Sequence, residues 1–480
     1  MLFNSFSFLL FLPTVTLLYF LLPHRFRWML LLAASCLFYM TFIPVYILIL
    51  FVTILIDYFA ALRIEATQGR SRKLFLIGSI VATCAVLSLF KYFNFFNENI
   101  GYVSRWLGIA YEGIESSLVL PIGLSFHTFQ SLSYVIEVYR GRQKAERHFG
   151  IYSLYVMFFP QLVAGPIERP QNLLHQFYEK HGFDAKRVSD GLRLILWGMF
   201  MKVVIADRLA MYVDGVYADV AGSSPLSLLI ATYGFAIQIY CDFAGYSNIA
   251  IGAALILGFR LMQNFDRPYA AASVSEFWRR WHISLSTWFR DYVYIPLGGN
   301  KATNGKRYLN LLWVFLLSGL WHGASWTFVV WGGLHGMFLI VGRMTSGIRN
   351  RFVHVIGLTR VPRLHRLLQC LTTFHLVCVG WVYFRAATLS DANLCLTKIA
   401  GWLVDRMPVH GLGLSVAQMV YGVAGIVTLC VFEALQGHRP IGAALRPPWV
   451  LQRWGMYASL TIGILLIGVF DGGQFIYFQF

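Results

Sequence analysis

Apolar residues follow one another in long blocks along this chain, and polar residues are concentrated in the gaps between the blocks. Windows of about 18 to 22 apolar residues, the length that crosses a hydrocarbon core of about 30 Å as a helix, recur from one end to the other. They predict spans near residues 5–22, 28–43, 45–62, 74–91, 118–138, 150–165, 192–210, 226–258 (one span or two), 309–345 (two spans), 367–384, 417–435 and 454–470. The pattern therefore predicts an all-α polytopic membrane protein.

Composition agrees with this pattern. Of the 480 residues, 58% are hydrophobic and 13% are charged, far outside the range of an ordinary globular protein. No linker in the chain is long enough to separate two soluble domains, so a single membrane domain over residues 1–480 is predicted. The longest polar gaps, which are all basic, are expected to form cytoplasmic helices or loops; they cover 166–191, 260–308 and 343–366.

The positions of Lys and Arg predict the orientation of the chain. Short cytoplasmic loops accumulate these residues. Basic residues follow the first, third and fifth predicted spans, at Arg25 and Arg27, within 63–73 and within 140–147, whereas the gap after the second span has no charge. The N-terminus is therefore predicted to lie outside. The net charge of +17 is explained as a basic cytoplasmic face against anionic lipid, or secondarily as attraction of an anionic cytosolic substrate, and no nucleic-acid partner is expected.

The middle polar gap contains an aromatic and arginine-rich stretch, Ser273 to Asn300, "SVSEFWRRWHISLSTWFRDYVYIPLGGN". Its apolar residues recur at helical spacing and predict one amphipathic helix, with the stripe Phe277, Trp281, Leu285, Trp288, Phe289 and Tyr292. One interpretation is a membrane-surface anchor. The other is that basic side chains donate hydrogen bonds to a phosphorylated cofactor; they are Arg279, Arg280, Arg290, Lys301, Lys306 and Arg307.

Ionisable residues also interrupt the apolar blocks themselves, at His322, Asp242 and His127. Such groups are costly at membrane depth and usually face a cavity or a partner. Asp242 is interpreted as the structural partner of a hydroxyl, an amide or an arginine, and His127 is left open between structure and function. His322 stands in "SGLWHGASWTFVVWGGLHG", where the surrounding glycines and tryptophans favour a tunnel with aromatic walls, and it is the candidate for chemistry.

Acyl transfer is the chemistry that these residues favour. The seven cysteines lie mostly in apolar runs without CxxC spacing, so neither a zinc site nor a disulfide scaffold is predicted, and no metal is expected. No GxSxG motif indicates a hydrolase triad. A neutral imidazole can instead take the proton of a hydroxyl that attacks a thioester.

The chain resembles a known family, the bacterial membrane-bound O-acyltransferases (MBOAT) of the alginate O-acetyltransferase branch. Matching stretches run almost from end to end, and they include "LPIGLSFHTFQSLSYVIEVYRG", "FFPQLVAGPIERP", "CDFAGYSNIAIGAALILGFRLMQNFDRPY", "EFWRRWHISLSTWFRDYVYIPLGGN", "GLWHGASWTFVVWGGLHG" and "FIYFQF". His127 departs from the pattern, which has Tyr or Phe there.

The resemblance implies a fold, an activity and a set of site residues. The fold would be a ring of roughly 11–13 transmembrane and re-entrant helices around a thin centre crossed by a tunnel. His322 corresponds to the essential histidine of the family, and His282 to its second recurrent polar position. The donor would be acetyl-CoA, for which 260–308 would form the donor funnel and Arg279, Arg280, Arg290, Trp281 and Trp326 the binding residues. Acetyl would cross the inner membrane to a periplasmic SGNH-type partner that modifies an exported polysaccharide.

The C-terminal tail, residues 471–480, raises a separate hypothesis. An aromatic belt at the membrane interface is the simpler explanation of its composition. The alternative is that the tail folds into the outer mouth of the tunnel, where Tyr477 would take the acetyl group and pass it on. This tail resembles those of small partner proteins in related D-alanylation systems.

Other functions stay open at this stage. Within the enzyme class, D-alanyl or other acyl transfer to teichoic acid or peptidoglycan is the alternative. Outside it, the chain could be a structural or transport subunit of a polysaccharide export complex. A structural subunit would tolerate loss of His322, whereas an acyltransferase would not.

Overall fold

The computed structural model describes residues 1–114, 116, 118–163, 165–402, 415–437, 439–470 and 475–476. Within these ranges the chain folds into helices joined by turns and loops, and no strand is present. This confirms the all-α prediction. Contacts between residues divide the chain into two compact units, the first made of Met1–Ile195 and Tyr246–Met262 and the second of Leu196–Gly245 and Gln263–Phe480. The prediction of one domain over 1–480 stays a prediction.

The first half of the chain contains the helices α1 to α11. Their bounds are Phe6–Leu21, His24–Met40, Ile47–Ala66, Gly69–Lys91, Phe93–Trp106, Leu124–Tyr139, Phe149–Met157, Phe159–Leu162, Pro170–Leu173, Ala185–Met199 and Asp207–Ala218. The second half contains α12 to α22, at Pro225–Leu257, Val274–Arg280, Ile283–Phe289, Asn304–His322, Trp326–Met344, Ser346–Val355, Pro362–Arg385, Leu389–Ala400, Val416–Gln436, Ile441–Ala444 and Val450–Ile467.

Seven of the described helical segments are long and apolar enough to cross a membrane. They are Pro44–Ala66, Gly69–Lys91, Pro225–Leu257, Trp326–Met344, Pro362–Arg385, Val416–Gln436 and Val450–Ile467. The expectation of a multi-pass membrane protein is confirmed. The predicted region 226–258 forms one helix, Pro225–Leu257, of 33 residues. The region 309–345 contains parts of two helices, α15 and α16, as predicted.

The predicted span at 150–165 is wrong. Helix α7 ends at Met157, and the short helix α8 begins at Phe159 with Pro160 in its first turn. Proline has no N–H to donate to the preceding turn and its ring restricts the residue before it, so it interrupts one helix and favours the start of another. The segment at 192–210 is also divided, because a π-helical turn, Phe200–Ala206, separates α10 from α11.

The first unit contains a buried polar cluster between α3, α4 and α6. The Asp57 carboxylate of α3 accepts hydrogen bonds from the hydroxyls of Ser79 and Thr83 of α4. In α6, His127 shares a hydrogen bond of 2.6 Å with the Thr53 hydroxyl through its Nε2 atom. Interhelical hydrogen bonds of this kind hold membrane helices together. In this structure His127 thus serves as a contact between helices.

In the second unit, α15 and α16 form a tightly packed antiparallel pair. Gly319 and Gly332 face each other, and a Cβ atom on Gly332 would lie 3.3 Å from the Gly319 Cα and would clash with the Phe315 carbonyl oxygen. Small residues let helix backbones approach closely in membranes. The sequence predicts that these glycines thin the wall of a tunnel, and the structure places Gly319 and Gly332 in the close contact between α15 and α16.

Candidate functional site

His322 is the last residue of α15 and is buried, with 4% of its surface exposed. The helix stops at Gly323, where a Cβ atom would clash with the Phe328 ring. Aromatic rings surround the imidazole, with ring centroids at 4.9 Å for Trp321, 5.0 Å for Trp331 and 5.4 Å for Phe384. The sequence order Trp-His-Gly at a helix end therefore places this imidazole in buried, aromatic surroundings.

His282 lies at a break between α13 and α14. Its backbone adopts the left-handed conformation, with φ 43° and ψ 56°, which is uncommon for a residue other than glycine. The loop before α13 holds this geometry on both sides: the Asp266 N–H donates to the Arg280 carbonyl, and the Ile283 N–H donates to the Asn264 carbonyl, each at 2.9 Å. Strained backbone of this kind persists where its surroundings over-determine it, and it is frequent at functional sites.

This break corrects the prediction of a single amphipathic helix over Ser273–Asn300. The chain forms two helices of seven residues each and then a π-helical turn, Arg290–Tyr294. The predicted apolar stripe is also not a lipid-facing surface, because most of its members are buried in protein: Phe277, Trp281, Leu285, Trp288 and Phe289. Only the periodicity was visible in the sequence, and the loop contacts that break the helix were not.

Both predicted catalytic histidines, His282 and His322, lie near the ring of Trp321. The ring centroids of His282 and Trp321 are 6.3 Å apart, and Trp321 in turn lies against His322. His282 also packs edge-on against Phe243 of α12, with ring centroids 4.6 Å apart. His282 is fully buried. Residues far apart in sequence thus form one aromatic and imidazole cluster within the second unit.

The predicted donor-binding arginines have different surroundings. Arg280 pairs with Glu276 at 2.7 Å and lies 3.8 Å from the Asp266 carboxylate, so its charge is largely engaged within the protein. Partial burial alone would raise the pKa of Glu276, but the Ala272 N–H and the Arg280 guanidinium outweigh this effect and lower that pKa. Arg279 is exposed. Arg290 is 58% exposed and pairs with its neighbour Asp291.

The two tryptophans predicted to bind the donor also differ. Trp281 is buried between the Phe277 ring at 5.4 Å and the Trp381 ring at 5.0 Å. Trp326 begins α16 and is 52% exposed. The structure therefore brings Trp281 into the aromatic core of the second unit and leaves Trp326 at a surface.

Asp242 has the structural partners that its position suggested, although the cation is a lysine. One oxygen of its carboxylate lies 2.6 Å from the Lys202 ammonium, and the other accepts a hydrogen bond of 2.7 Å from the Ile476 N–H. Lys202 also pairs with Asp207 at 2.8 Å. Tyr477, the predicted relay, lies outside the described residues, and it directly follows Ile476 in the chain.

Sequence reasoning missed several members of this region. His335 of α16 is fully buried and accepts a hydrogen bond of 3.2 Å from the Trp278 indole N–H at its Nδ1 atom. It stands in the same motif as His322, and the criterion applied to that residue would have found it. The same criterion, an ionisable group inside an apolar run, would also have found Lys202 and Asp207.

Metal-binding clusters were also sought in the chain. Among the residues with described positions, no three His, Cys, Asp or Glu side chains lie close enough together to hold a metal ion.

Comparison with known proteins agrees with this architecture. The family model described as MBOAT, membrane-bound O-acyltransferase family, matches residues 147–355. Over the full length of both proteins, the chain is 36% identical to the probable alginate O-acetylase AlgI of Azotobacter vinelandii. It is 40% identical to the protein of the same name from Pseudomonas aeruginosa, over 92% of this chain and 85% of that protein.

A further relative is named for the modification of a different polymer, peptidoglycan. The peptidoglycan O-acetyltransferase of Helicobacter pylori is 35% identical over 77% of this chain and 72% of its own length. The resemblance inferred from the motifs is therefore confirmed, and the idea of a purely structural or transport subunit is set aside. The chain belongs to the membrane-bound O-acyltransferase family, and it is a multi-pass membrane O-acyltransferase.

Proposed function

We propose that this enzyme moves an acetyl group from cytosolic acetyl-CoA across the inner membrane towards a periplasmic SGNH-type partner that O-acetylates an exported polysaccharide. One observation supports this most: His322 and His282 lie buried around Trp321 in a chain that matches, over its whole length, a protein named as an alginate O-acetylase. The acceptor is a polysaccharide of the cell envelope or exterior, since the relatives are named for alginate and peptidoglycan.

His322 acts as the general base in this proposal. Its imidazole takes the proton of the accepting hydroxyl, whose oxygen attacks the thioester carbonyl of acetyl-CoA. The carbon–sulfur bond breaks, the thiolate of CoA leaves, and the proton held by His322 passes to that thiolate. The buried aromatic surroundings keep water from competing as the acceptor. His282 contributes a second polar group near Trp321.

Tyr477 is the proposed accepting hydroxyl inside the enzyme. Its phenol oxygen takes the acetyl group and forms an ester, and a hydroxyl of the partner protein then attacks that ester and releases the phenol. Such a covalent relay divides the transfer across the membrane into two shorter steps. Support comes from Ile476, which precedes Tyr477 and is anchored to Asp242 in the same unit as both histidines.

The donor is proposed to bind at the basic side of the protein. With the N-terminus outside, the arginine-rich loops face the cytosol and anionic lipid. Arg279 and Arg290 are exposed and available to the phosphates of CoA, whereas Arg280 mainly fixes the loop geometry beside His282. Trp281 and Trp326 would line the path of the thioester arm.

The test is polymer acetylation in cells that carry His322→Gln. We expect acetylation of the exported polymer to be abolished while the amount of protein in the membrane stays normal. His354→Gln, an exposed histidine on α17, is the matched control and should acetylate normally. Normal acetylation by a correctly inserted His322→Gln variant would refute the proposed function of this residue.

A further inference from the structure

A buried charge cluster lies in the second unit, apart from the two histidines. Lys202 is 1% exposed, Asp207 4% and Asp242 3%. The ammonium group lies 2.8 Å from an Asp207 oxygen and 2.6 Å from an Asp242 oxygen. Burying ionised groups is costly, and one carboxylate is enough to neutralise one lysine. Charge balance alone therefore does not explain why two carboxylates are buried beside Lys202.

Asp242 also binds a C-terminal segment, Phe475 and Ile476. The Ile476 N–H donates a hydrogen bond of 2.7 Å to the Asp242 oxygen that does not face Lys202. Phe475 is fully buried, and its ring packs edge-on against Phe243 at 5.6 Å. Phe243 is the residue that contacts His282. The carboxylate thus holds the backbone of the segment, and the adjacent ring lies next to the histidine cluster.

The turn that carries Lys202 and the residue Arg208 after it also bind the chain at the end of α22, before the C-terminal segment. In the π-helical turn Phe200–Ala206, the Val203 carbonyl accepts a hydrogen bond of 2.8 Å from the Val469 N–H, just after α22 ends. Arg208 donates to the Ile467 carbonyl. Turns of this type are frequent at functional sites because they free backbone groups for other partners. The chain is therefore held at Ile467, at Val469 and at Ile476.

We infer that Asp242, oriented by Lys202, is a positioning residue that fixes the C-terminal segment beside the His282 and His322 cluster. This rests on the proposed function in one respect, namely that the residue positioned is Tyr477. A carboxylate is suited to the task because a charged acceptor binds a backbone N–H more strongly than a neutral one. Lys202 holds that carboxylate in one orientation, with its second oxygen directed at the tail.

The direct test removes the N–H that Asp242 binds and leaves the charge cluster intact. In Ile476→Pro, proline has no N–H to donate, whereas Ile476→Ala keeps it. We expect Ile476→Pro to raise the hydrogen–deuterium exchange of the C-terminal peptide at least tenfold and to reduce acyl transfer to the level of a chain truncated after Gln474. Ile476→Ala should retain slow exchange and most of the transfer. Equal exchange and equal transfer in the two variants would overturn the inference.

A variant without any charge in the cluster separates positioning from simple charge pairing. Lys202→Met with Asp207→Leu and Asp242→Leu removes all three charges together, a change that buried charge clusters often tolerate. If the cluster only balances charge, this triple variant keeps both tail protection and transfer, which would contradict the inference. If Asp242 positions the tail, the triple variant inserts normally but exchanges quickly and does not transfer. Exchange is measured without any substrate, so it tests the contact of Asp242 with Ile476 independently of the relay. A fully active Tyr477→Phe variant would refute the relay but not this contact.

Discussion

The Trp278 indole donates a hydrogen bond of 3.2 Å to the Nδ1 atom of His335. This bond ties α13, which precedes the His282 break, to α16, which follows His322. It also defines the tautomer of His335, because a nitrogen that accepts a hydrogen bond carries no proton. The second histidine of the motif thus links a helix next to His282 with a helix next to His322.

Replacing His335 should reveal the cost of losing that acceptor. In His335→Leu the Trp278 N–H is left buried without a partner, which costs about 1–3 kcal/mol. His335→Asn keeps an acceptor oxygen near the position of Nδ1 and should be less destabilised. Thermal unfolding in detergent measures the difference. If the Leu and Asn variants unfold at the same temperature, the hydrogen bond contributes nothing to stability.

Contact between α15 and α16 predicts a position-specific effect of small substitutions. Gly332→Ala places a methyl group against the Phe315 carbonyl oxygen and the Gly319 Cα. We expect it to lower stability by about 1–3 kcal/mol, as overpacking typically does. Gly333→Ala is the matched control, because there the nearest atom, Leu316 Cδ2, is at an ordinary 3.6 Å. Similar unfolding temperatures for the two variants would contradict the close packing.

The donor-site arginines should divide into two classes. Replacing exposed Arg279 and Arg290 by Gln should weaken acetyl-CoA binding, since each lost charge-assisted hydrogen bond costs about 1.5–3 kcal/mol, or roughly tenfold to hundredfold in affinity. Arg280→Gln should mainly lower stability, because it breaks the contacts with Glu276 and Asp266. Calorimetry measures the affinity of each variant for acetyl-CoA, and thermal unfolding measures its stability.

Unchanged acetyl-CoA affinity in the Arg279 and Arg290 double variant would contradict the proposed donor site. Arg351→Gln, an exposed arginine of α17, controls for the general effect of removing positive charge. If that control weakens binding equally, the attraction is a property of the whole basic face.

Sequence patterns were sufficient for the helices whose apolar runs are long. The pair α15 and α16 and the helix over Pro225–Leu257 follow from hydropathy, because a continuous apolar run of that length is stable as a membrane helix. His322 could be predicted because an imidazole inside such a run is costly. Pro160 also offered a signal against the single span at 150–165, which the prediction did not use.

The site itself depends on contacts that no local pattern contains. The helix break at His282 requires the Asn264 and Asp266 backbone, and the neighbours of Asp242 come from Lys202 and Ile476. Each of these pairs joins segments that are separated in sequence. Periodicity favoured one continuous helix through His282 because it describes only the local spacing of apolar residues.

The most direct test of the account follows the acetyl group onto the enzyme. Purified protein in liposomes is mixed with acetyl-CoA and trapped in acid, and its C-terminal peptide is analysed by mass spectrometry. Tyr477→Phe is the control for the site of attachment. Phe478→Leu, whose effect on transfer should be mild, is the control for the tail. The account predicts acetyl on Tyr477 in the wild type and none in His322→Gln. Acetyl on Tyr477 at the wild-type rate in His322→Gln would contradict the role of His322 as the base, and its absence from the wild type, with transfer to the acceptor intact, would contradict the relay.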